Sequence, residues 1–199
     1  MLKRRPTLHF TAWYLGILPA QTETTQAEQA CLEQHARDCH RIAEIGVWHG
    51  VNTLRMRRSM AADGVLYAID PFFPNRWGIS LQEWIARREA ARTTNGRVEF
   101  LKMLSVDAEK TLRNRSDTQF DFIFVDGDHR YDAVAEDWQL WTEMLAPHGV
   151  IALHDSRSHP GRCIDETGPV RFAVEQRATN QEFECFEEVD SLTVWRRRL

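Results

Sequence analysis

Residues Glu44–Asn52 read E-I-G-V-W-H-G-V-N. An apolar segment precedes them and a helical pattern follows. An acid closing a strand, then glycines four residues apart, describes a strand-to-helix turn able to cradle a nucleotide-type ligand. Gly46 and Gly50 let the backbone turn sharply and approach that ligand closely. The spacing is not G-x-G-x-x-G, so the dinucleotide fingerprint and its pyrophosphate seat are missing. Glu44 is placed to hold a ribose or an ammonium group. Asn52 and Thr53 open the next helix, where free N–H groups and the helix dipole suit a carboxylate. Trp48 lies inside the loop, where it covers a ligand or packs under the helix.

Outward from this loop, strands and helices alternate. The expected strands are Arg41–Val47, Val65–Asp70, Arg97–Leu101, Phe120–Val125 and Val150–His154, with a closing pair, Phe183–Val189 and Leu192–Arg197, joined at Asp190-Ser191. Phe120–Val125 is almost wholly apolar, as a strand covered on both faces should be. Helices fall between them. Thr24 or Thr25 caps one running to about Asp38, with Glu28 placed for a capping box. Others are Val51–Met60, Ser80 to about Thr94, Ser105 to about Arg113, Tyr131–Leu145 and Pro169–Ala178. This order predicts an α/β fold: a Rossmann-like, seven-stranded, mostly parallel sheet with a C-terminal antiparallel β-hairpin and helices on both faces. Residues 1–20 read as an irregular aromatic-rich arm and residues 21–199 as a single domain.

The chain of 199 residues has a net charge of −4, from 25 basic and 29 acidic side chains. That balance argues against a nucleic-acid groove, which shows as a basic field. The basic clusters Lys3-Arg4-Arg5 and Arg196-Arg197-Arg198 read as solvated tails. No stretch is long and apolar enough for a membrane span. Leu8–Ala20 imitates a secretory leader, but His9, Thr11 and Pro19 interrupt it. Cys31, Cys39, Cys163 and Cys185 form no zinc pattern and read as reduced thiols, so the expected location is the cytoplasm.

In an open α/β sheet, ligands bind beyond the carboxyl ends of the strands. Those ends carry Glu44, Asp70, Asp126-Gly127-Asp128-His129 and His154-Asp155, with Ser105 just after the third strand. Acids crowded on one rim repel one another unless cations or donor-rich ligands sit there. Asp70 can accept both ribose hydroxyls of a nucleoside.

E-x-G-x-x-x-G, followed by F-D-F-I-F-V-D-G-D-H-R-Y-D-A-V and L-A-P-H-G-V-I-A-L-H-D, resembles class I S-adenosylmethionine (SAM) dependent methyltransferases. The resemblance is to the small-molecule O-methyltransferases that act on macrolide and aminocoumarin sugars, and it runs from about Ile42 to Asp155. It implies SAM as cofactor, held by Glu44, Gly46, Trp48, Gly50, Asn52, Thr53, Asp70, Ser105, Asp126 and His129. It implies methyl transfer to a hydroxyl of a small molecule, a sugar or secondary metabolite. Asp128 would be the general base, with His129 supporting it or contacting adenine. Asp126, His154 and Asp155 would hold a divalent cation, Mg²⁺ or Mn²⁺. His154 departs from the oxygen ligands that Mg²⁺ prefers. A metal-free enzyme with a histidine base therefore stays open, as does a non-catalytic SAM-binding subunit. Phe10, Trp13, Tyr14, Phe72, Phe73 and Trp77 would wall an acceptor pocket or latch the arm to the domain. Arg157, His159, Arg162 and Arg171 leave an anionic acceptor open, and a homodimer is left open.

Overall fold

The computed structural model describes residues 6–115 and 119–198. The elements run α1 (Pro6–Tyr14), α2 (Gln26–Ala36), β1 (Arg41–Ile45), α3 (Val51–Ser59), β2 (Val65–Ile69), α4 (Leu81–Ala90), β3 (Arg97–Leu101) and α5 (Ser105–Arg113). They continue with β4 (Phe120–Val125), α6 (Tyr131–Thr142), β5 (Leu145–Leu153), α7 (Gly168–Thr179), β6 (Phe183–Val189) and β7 (Leu192–Arg197). One seven-stranded sheet has the order β3-β2-β1-β4-β5-β7-β6. Strands β1 to β5 pair in parallel, and β7 is antiparallel to both β5 and β6. The expected sheet and its closing hairpin are therefore present.

Each face of the sheet buries its own apolar layer. Helices α5, α6 and α7 cover one face through Leu112, Trp138, Trp141 and Phe172, against Ile45, Ile123, Ile151 and Trp195. Helices α2, α3 and α4 cover the other through Leu32, Met56 and Ala86, against Ile42, Leu66, Phe122 and Val194. Local signals set the helix starts. Thr25 and Glu28 form a capping box on α2, and Ser80 accepts the Glu83 N–H at the start of α4. Such caps contribute about 1 kcal/mol each.

Four expectations are corrected. The N-terminal arm is not irregular: residues 6–14 form α1, docked by a Trp13 Nε1–H bond to Glu89 Oε1 (2.9 Å), by His9 stacked on His49 and by Phe10 edge-on to Trp84. Strand β1 ends at Ile45 rather than Val47, because Gly46 turns to φ +89°. Helix α6 stops at Thr142, and β5 starts at Leu145 with an irregularity opposite Phe120–Phe122 that absorbs Pro147-His148-Gly149. Arg196 and Arg197 are not in a solvated tail but in β7, ion-paired to Glu184 of β6 and to Glu182 just before it, while Arg198 lies 3.7 Å from Glu184. The Lys3-Arg4-Arg5 cluster lies outside the described residues. Among the described residues no helix is long and apolar enough to cross a membrane.

Gly46 fixes how close β1 and β4 come at their carboxyl ends. A Cβ there would sit 2.0 Å from the Asp126 carbonyl oxygen, in a backbone conformation that L side chains rarely adopt. Gly46→Ala is expected to cost about 3 kcal/mol or more, read as a lowered urea midpoint. An unchanged midpoint would contradict that packing.

Candidate active site

A cleft of about 750 Å³ opens over the carboxyl ends of β1, β2 and β4, where the strand order switches between β1 and β4. From the predicted set it gathers Gly46, Trp48, Asp70, Ser105, Asp126, Asp128, His129, His154 and Asp155 on its walls. Trp48 and Asp155 both carry positive φ, 49° and 50°, so residues on this rim hold a backbone that costs non-glycine residues about 1–3 kcal/mol each.

Glu44, Gly50, Asn52 and Thr53 sit behind the loop instead of on the cleft wall. Glu44 is fully buried and accepts the Thr53 hydroxyl at 2.5 Å, while its Oε1 has no partner among the described residues. Burial, only partly offset by Thr53, raises its carboxyl well above the usual range. Asn52 accepts from the Thr24 hydroxyl (2.9 Å), which turns its side chain toward α2. Gly50 caps α3 in the left-handed region and packs on the Ala86 backbone. These side chains build the underside of the loop because strand alternation turns Glu44 toward α3 and away from the opening.

Asp70 closes the loop from the front. Its Oδ2 accepts the Val47 and Trp48 N–H groups at 3.1 Å each, and its Oδ1 accepts Phe72 N–H at 2.7 Å. Each carboxylate oxygen keeps further acceptor capacity toward the cleft. Of the expected aromatic wall, Phe73 lines the cleft; Phe72 is core, and Trp13 latches the arm.

Ser105 is committed within the protein. Its hydroxyl donates to Asp137 Oδ1 and accepts from Trp141 Nε1–H. Beside it on the cleft wall stands Asp137, a residue the sequence reading missed. Burial lifts its carboxyl to about 6, with the Ser105 bond pulling the other way.

At the other end, His154 is almost wholly buried amid carboxylates. Its Nδ1 donates to Asp126 Oδ1 at 2.9 Å and lies 3.6 Å from Asp155 Oδ1, while Nε2 is 3.4 Å from Glu28 Oε2 without hydrogen-bond geometry. Burial disfavours a charged ring, yet Asp126, Glu28 and Asp155 outweigh it and hold His154 up at about 10. Burial also works against the Glu28 carboxylate, but His154, the Ser191 groups and the Thr25 N–H bring it down to about 2. The carboxylates around the ring thus favour its charged form.

Asp155 Oδ2 accepts His129 Nε2–H at 3.0 Å and Arg162 Nη2 at 2.5 Å, while its Oδ1 lies 3.1 Å from the Ser191 hydroxyl, whose proton goes to the nearer Glu28 Oε1 at 2.6 Å. The residues expected to hold a cation, Asp126, His154 and Asp155, do come together, with His154 Nδ1 2.9 Å from Asp126 Oδ1 and 3.6 Å from Asp155 Oδ1. The donors that converge are Asp126, His129 and His154, within 4.8 Å of one another. Arg162 and His129 already engage Asp155 Oδ2, and His154 Nδ1 faces Asp126, so an ion held there would displace those contacts.

The two residues expected to be catalytic divide. His129 has a half-exposed ring whose pKa is raised, first by its bond to Asp155. Asp128 is engaged by the Arg130 N–H at 2.9 Å and by Arg130 Nε at 2.8 Å, and those bonds push its carboxyl down. A carboxylate so stabilised is a weak base. The anionic-acceptor arginines are elsewhere. Arg157 pairs with Glu188, Arg162 with Asp155, and Arg171 lies over the Tyr131 ring. Acids dominate the cleft wall: Glu23, Asp70, Asp126, Asp128, Glu136, Asp137 and Asp155.

An open α/β sheet reversing at a glycine turn, an acid closing that turn, and a closing antiparallel hairpin define the architecture of a methyltransferase. Residues 43–156, more than half of the chain, match the family model described as a methyltransferase domain, and the chain belongs to that family. Two solved structures share the fold. One is the O-methyltransferase TomG of Streptomyces achromogenes, involved in tomaymycin synthesis and in complex with SAM. It is 18% identical with a TM-score of 0.64, over 96% of this chain and 88% of that one. The other is an O-methyltransferase from Bacillus cereus in complex with SAH, 18% identical with a TM-score of 0.63, over 98% and 90%. A protein of Sinorhizobium fredii called y4gI is 27% identical over 125 residues, 61% of this chain. The matched stretch spans 14% of that relative's length.

The buried charges set a pH window. The raised His154 pKa contributes stability that is full below its ordinary value of 6.5 and is lost as pH rises through about 10. The lowered Glu28 pKa contributes stability that is full above 4.5 and is lost as pH falls through about 2. His154→Gln is expected to lower stability by about 3–5 kcal/mol at pH 6, with the gap to wild type shrinking toward pH 10. A gap that is constant across that range would contradict the assignment.

Proposed function

We propose that this methyltransferase moves the methyl group of SAM to a hydroxyl of a small molecule, with His129 as base and without a metal in the cleft. One observation carries this reading: His129 stands on the cleft wall with its Nε2–H held by the buried, cation-clamped Asp155. That bond fixes the tautomer and leaves Nδ1 as the basic nitrogen. SAM supplies a methyl group already activated by its sulfonium, so the chain's task is alignment and proton removal. As the acceptor oxygen bonds the methyl carbon, the carbon–sulfur bond breaks and its electrons stay on sulfur. The hydroxyl proton passes to His129 and later to water. Asp155 stabilises the resulting imidazolium. Arg162 holds Asp155 and keeps it ionised.

Gly46, Trp48, Asp70 and Asp126 would receive the amino-acid and ribose parts of SAM, with Asp70 as the ribose acceptor. Asp137 would accept the N6 amine of adenine, since Ser105 has no proton left to give. The acidic wall favours a cationic donor molecule and an acceptor that is neutral or carries an amine over an anionic one. Glu23, Phe73 and Arg130, beside His129, would meet that acceptor.

The histidine reading is tested by the pH profile of kcat/KM in a radiolabelled-methyl assay over a panel of polyhydroxylated acceptors. Activity should rise with pH through a value above the ordinary 6.5 of histidine, because Asp155 raises the His129 pKa. Asp155→Asn should move that limb to lower pH, and His129→Asn should lose about 100-fold or more. Mg²⁺ or Mn²⁺ added to chelator-treated protein should leave the rate within about twofold of the untreated one. A strict requirement for either ion, or full activity in His129→Asn, would reject the assignment.

Adenine recognition has its own readout. Asp137→Asn should weaken SAH binding in calorimetry by about 10- to 100-fold, the worth of a hydrogen bond to a charged group. It should also narrow the preference for SAH over its inosine analogue. Unchanged affinity for both would remove Asp137 from the site.

A further inference from the structure

Away from the cleft, one set of metal-ligating side chains joins α2 to β6. Cys31 and His35 are four residues apart on α2 and so share a helix face. Glu187 of β6 faces them, with its Oε2 2.8 Å from His35 Nε2. The thiol, imidazole and carboxylate donor atoms all lie within 4.8 Å of one another.

A β-bulge puts Glu187 there. Cys185 pairs with Trp195 and Glu187 with Val194, so two steps along β6 match one step along β7 and Phe186 is the extra residue. Paired residues share a face. Cys185 and Trp195 belong to the layer under α6 and α7, whereas Val194 belongs to the layer under α2. In an unbroken ladder Glu187 would share the Cys185 face; the bulge transfers it to the α2 face, a known use of bulges to re-aim a side chain.

We propose that Cys31, His35 and Glu187 form a zinc site clamping α2 to the β6–β7 hairpin. A thiolate with an imidazole selects a borderline-soft ion over Mg²⁺ or Ca²⁺. Zinc takes sulfur, nitrogen and oxygen donors of this kind in a tetrahedron and can keep water in the fourth position. The His35 and Glu187 side chains are 12% and 31% exposed, which leaves an entry path on that side. The His35 ring is already fixed between Phe122 and Phe186, with centroids 5.9 and 5.8 Å away. Little side-chain freedom remains to be lost on binding. The clamp would reinforce ties the same helix already makes to the hairpin turn: Thr25 to Asp190 at 2.6 Å and Glu28 to Ser191 at 2.6 Å. It is independent of the methyl-transfer reading, since none of the three residues lines the cleft.

The test uses the full chain without an affinity tag, stripped of metal by a chelator. Zinc is titrated in competition with a chromophoric chelator, and Co²⁺ serves as a spectroscopic probe. One zinc per chain should bind, and X-ray absorption should find one sulfur at about 2.3 Å among nitrogen and oxygen at about 2.0–2.2 Å. Co²⁺ should show a sulfur-to-metal charge-transfer band. Cys31→Ser should abolish that band and lower zinc affinity about tenfold or more. Glu187→Gln should lower the affinity and keep the band, and Asp126→Asn should change neither. A shell without sulfur, binding lost in Asp126→Asn but kept in Cys31→Ser, or no zinc retained would each overturn the site and reduce the contact to a His35–Glu187 ion pair. Should Cys31→Ser fail to fold by circular dichroism, the absorption spectrum of the wild-type chain decides alone.

Discussion

The charge of one buried imidazole organises this molecule. His154 ends β5 under the sheet's rim, where Asp126 of the β4 loop, Glu28 of α2 and Asp155 converge on it. Each carboxylate would be costly to bury alone, and the ring would be costly to charge alone. Together they hold α2, the ends of β4 and β5, and the β6–β7 turn in one arrangement, since Glu28 also binds the Ser191 N–H and hydroxyl. A buried ion cluster of this kind specifies geometry more than it adds net stability. Here the geometry specified is the wall of the cleft.

Charge also separates the roles of the cleft acids. Asp126 and Asp155 have cationic partners inside the protein, and Asp128 has Arg130. Asp70 receives N–H groups from the glycine loop. Among the described residues Asp137 has only a hydroxyl contact, from Ser105, and a pKa lifted to about 6 by burial. The acidic rim is therefore not a uniform field. It is a neutralised core around His154, the half-exposed His129 ring beside it, and a residual negative lobe toward Asp137.

Much of this was legible in the sequence, for physical reasons. Val65–Ile69 and Phe120–Val125 are apolar runs too short for helices, and both are strands. The glycine turn and the acids at the strand ends could be located because an α/β sheet places its strand ends in a row. The helix at 6–14 was missed because aromatic residues and threonine have weak helical propensity, and its stability comes from packing on α4 and His49. The charge partners were missed because they lie far away in sequence: Glu28 is 126 positions before His154, and it reads locally as a capping-box acid, which it also is. Asp137 did leave a signal. It stands three residues after Val134 and four before Trp141, on the apolar stripe of α6, where an acid needs a reason to be.

The charge of His154 can be read without any variant. In a ¹⁵N NMR spectrum of the selectively histidine-labelled protein at pH 8, both ring nitrogens of His154 should carry protons and give imidazolium shifts, with titration only toward about 10. A neutral tautomer at pH 8, titrating near the ordinary value of about 6.5, would contradict the charge assignment on which the hairpin docking and the cleft electrostatics rest.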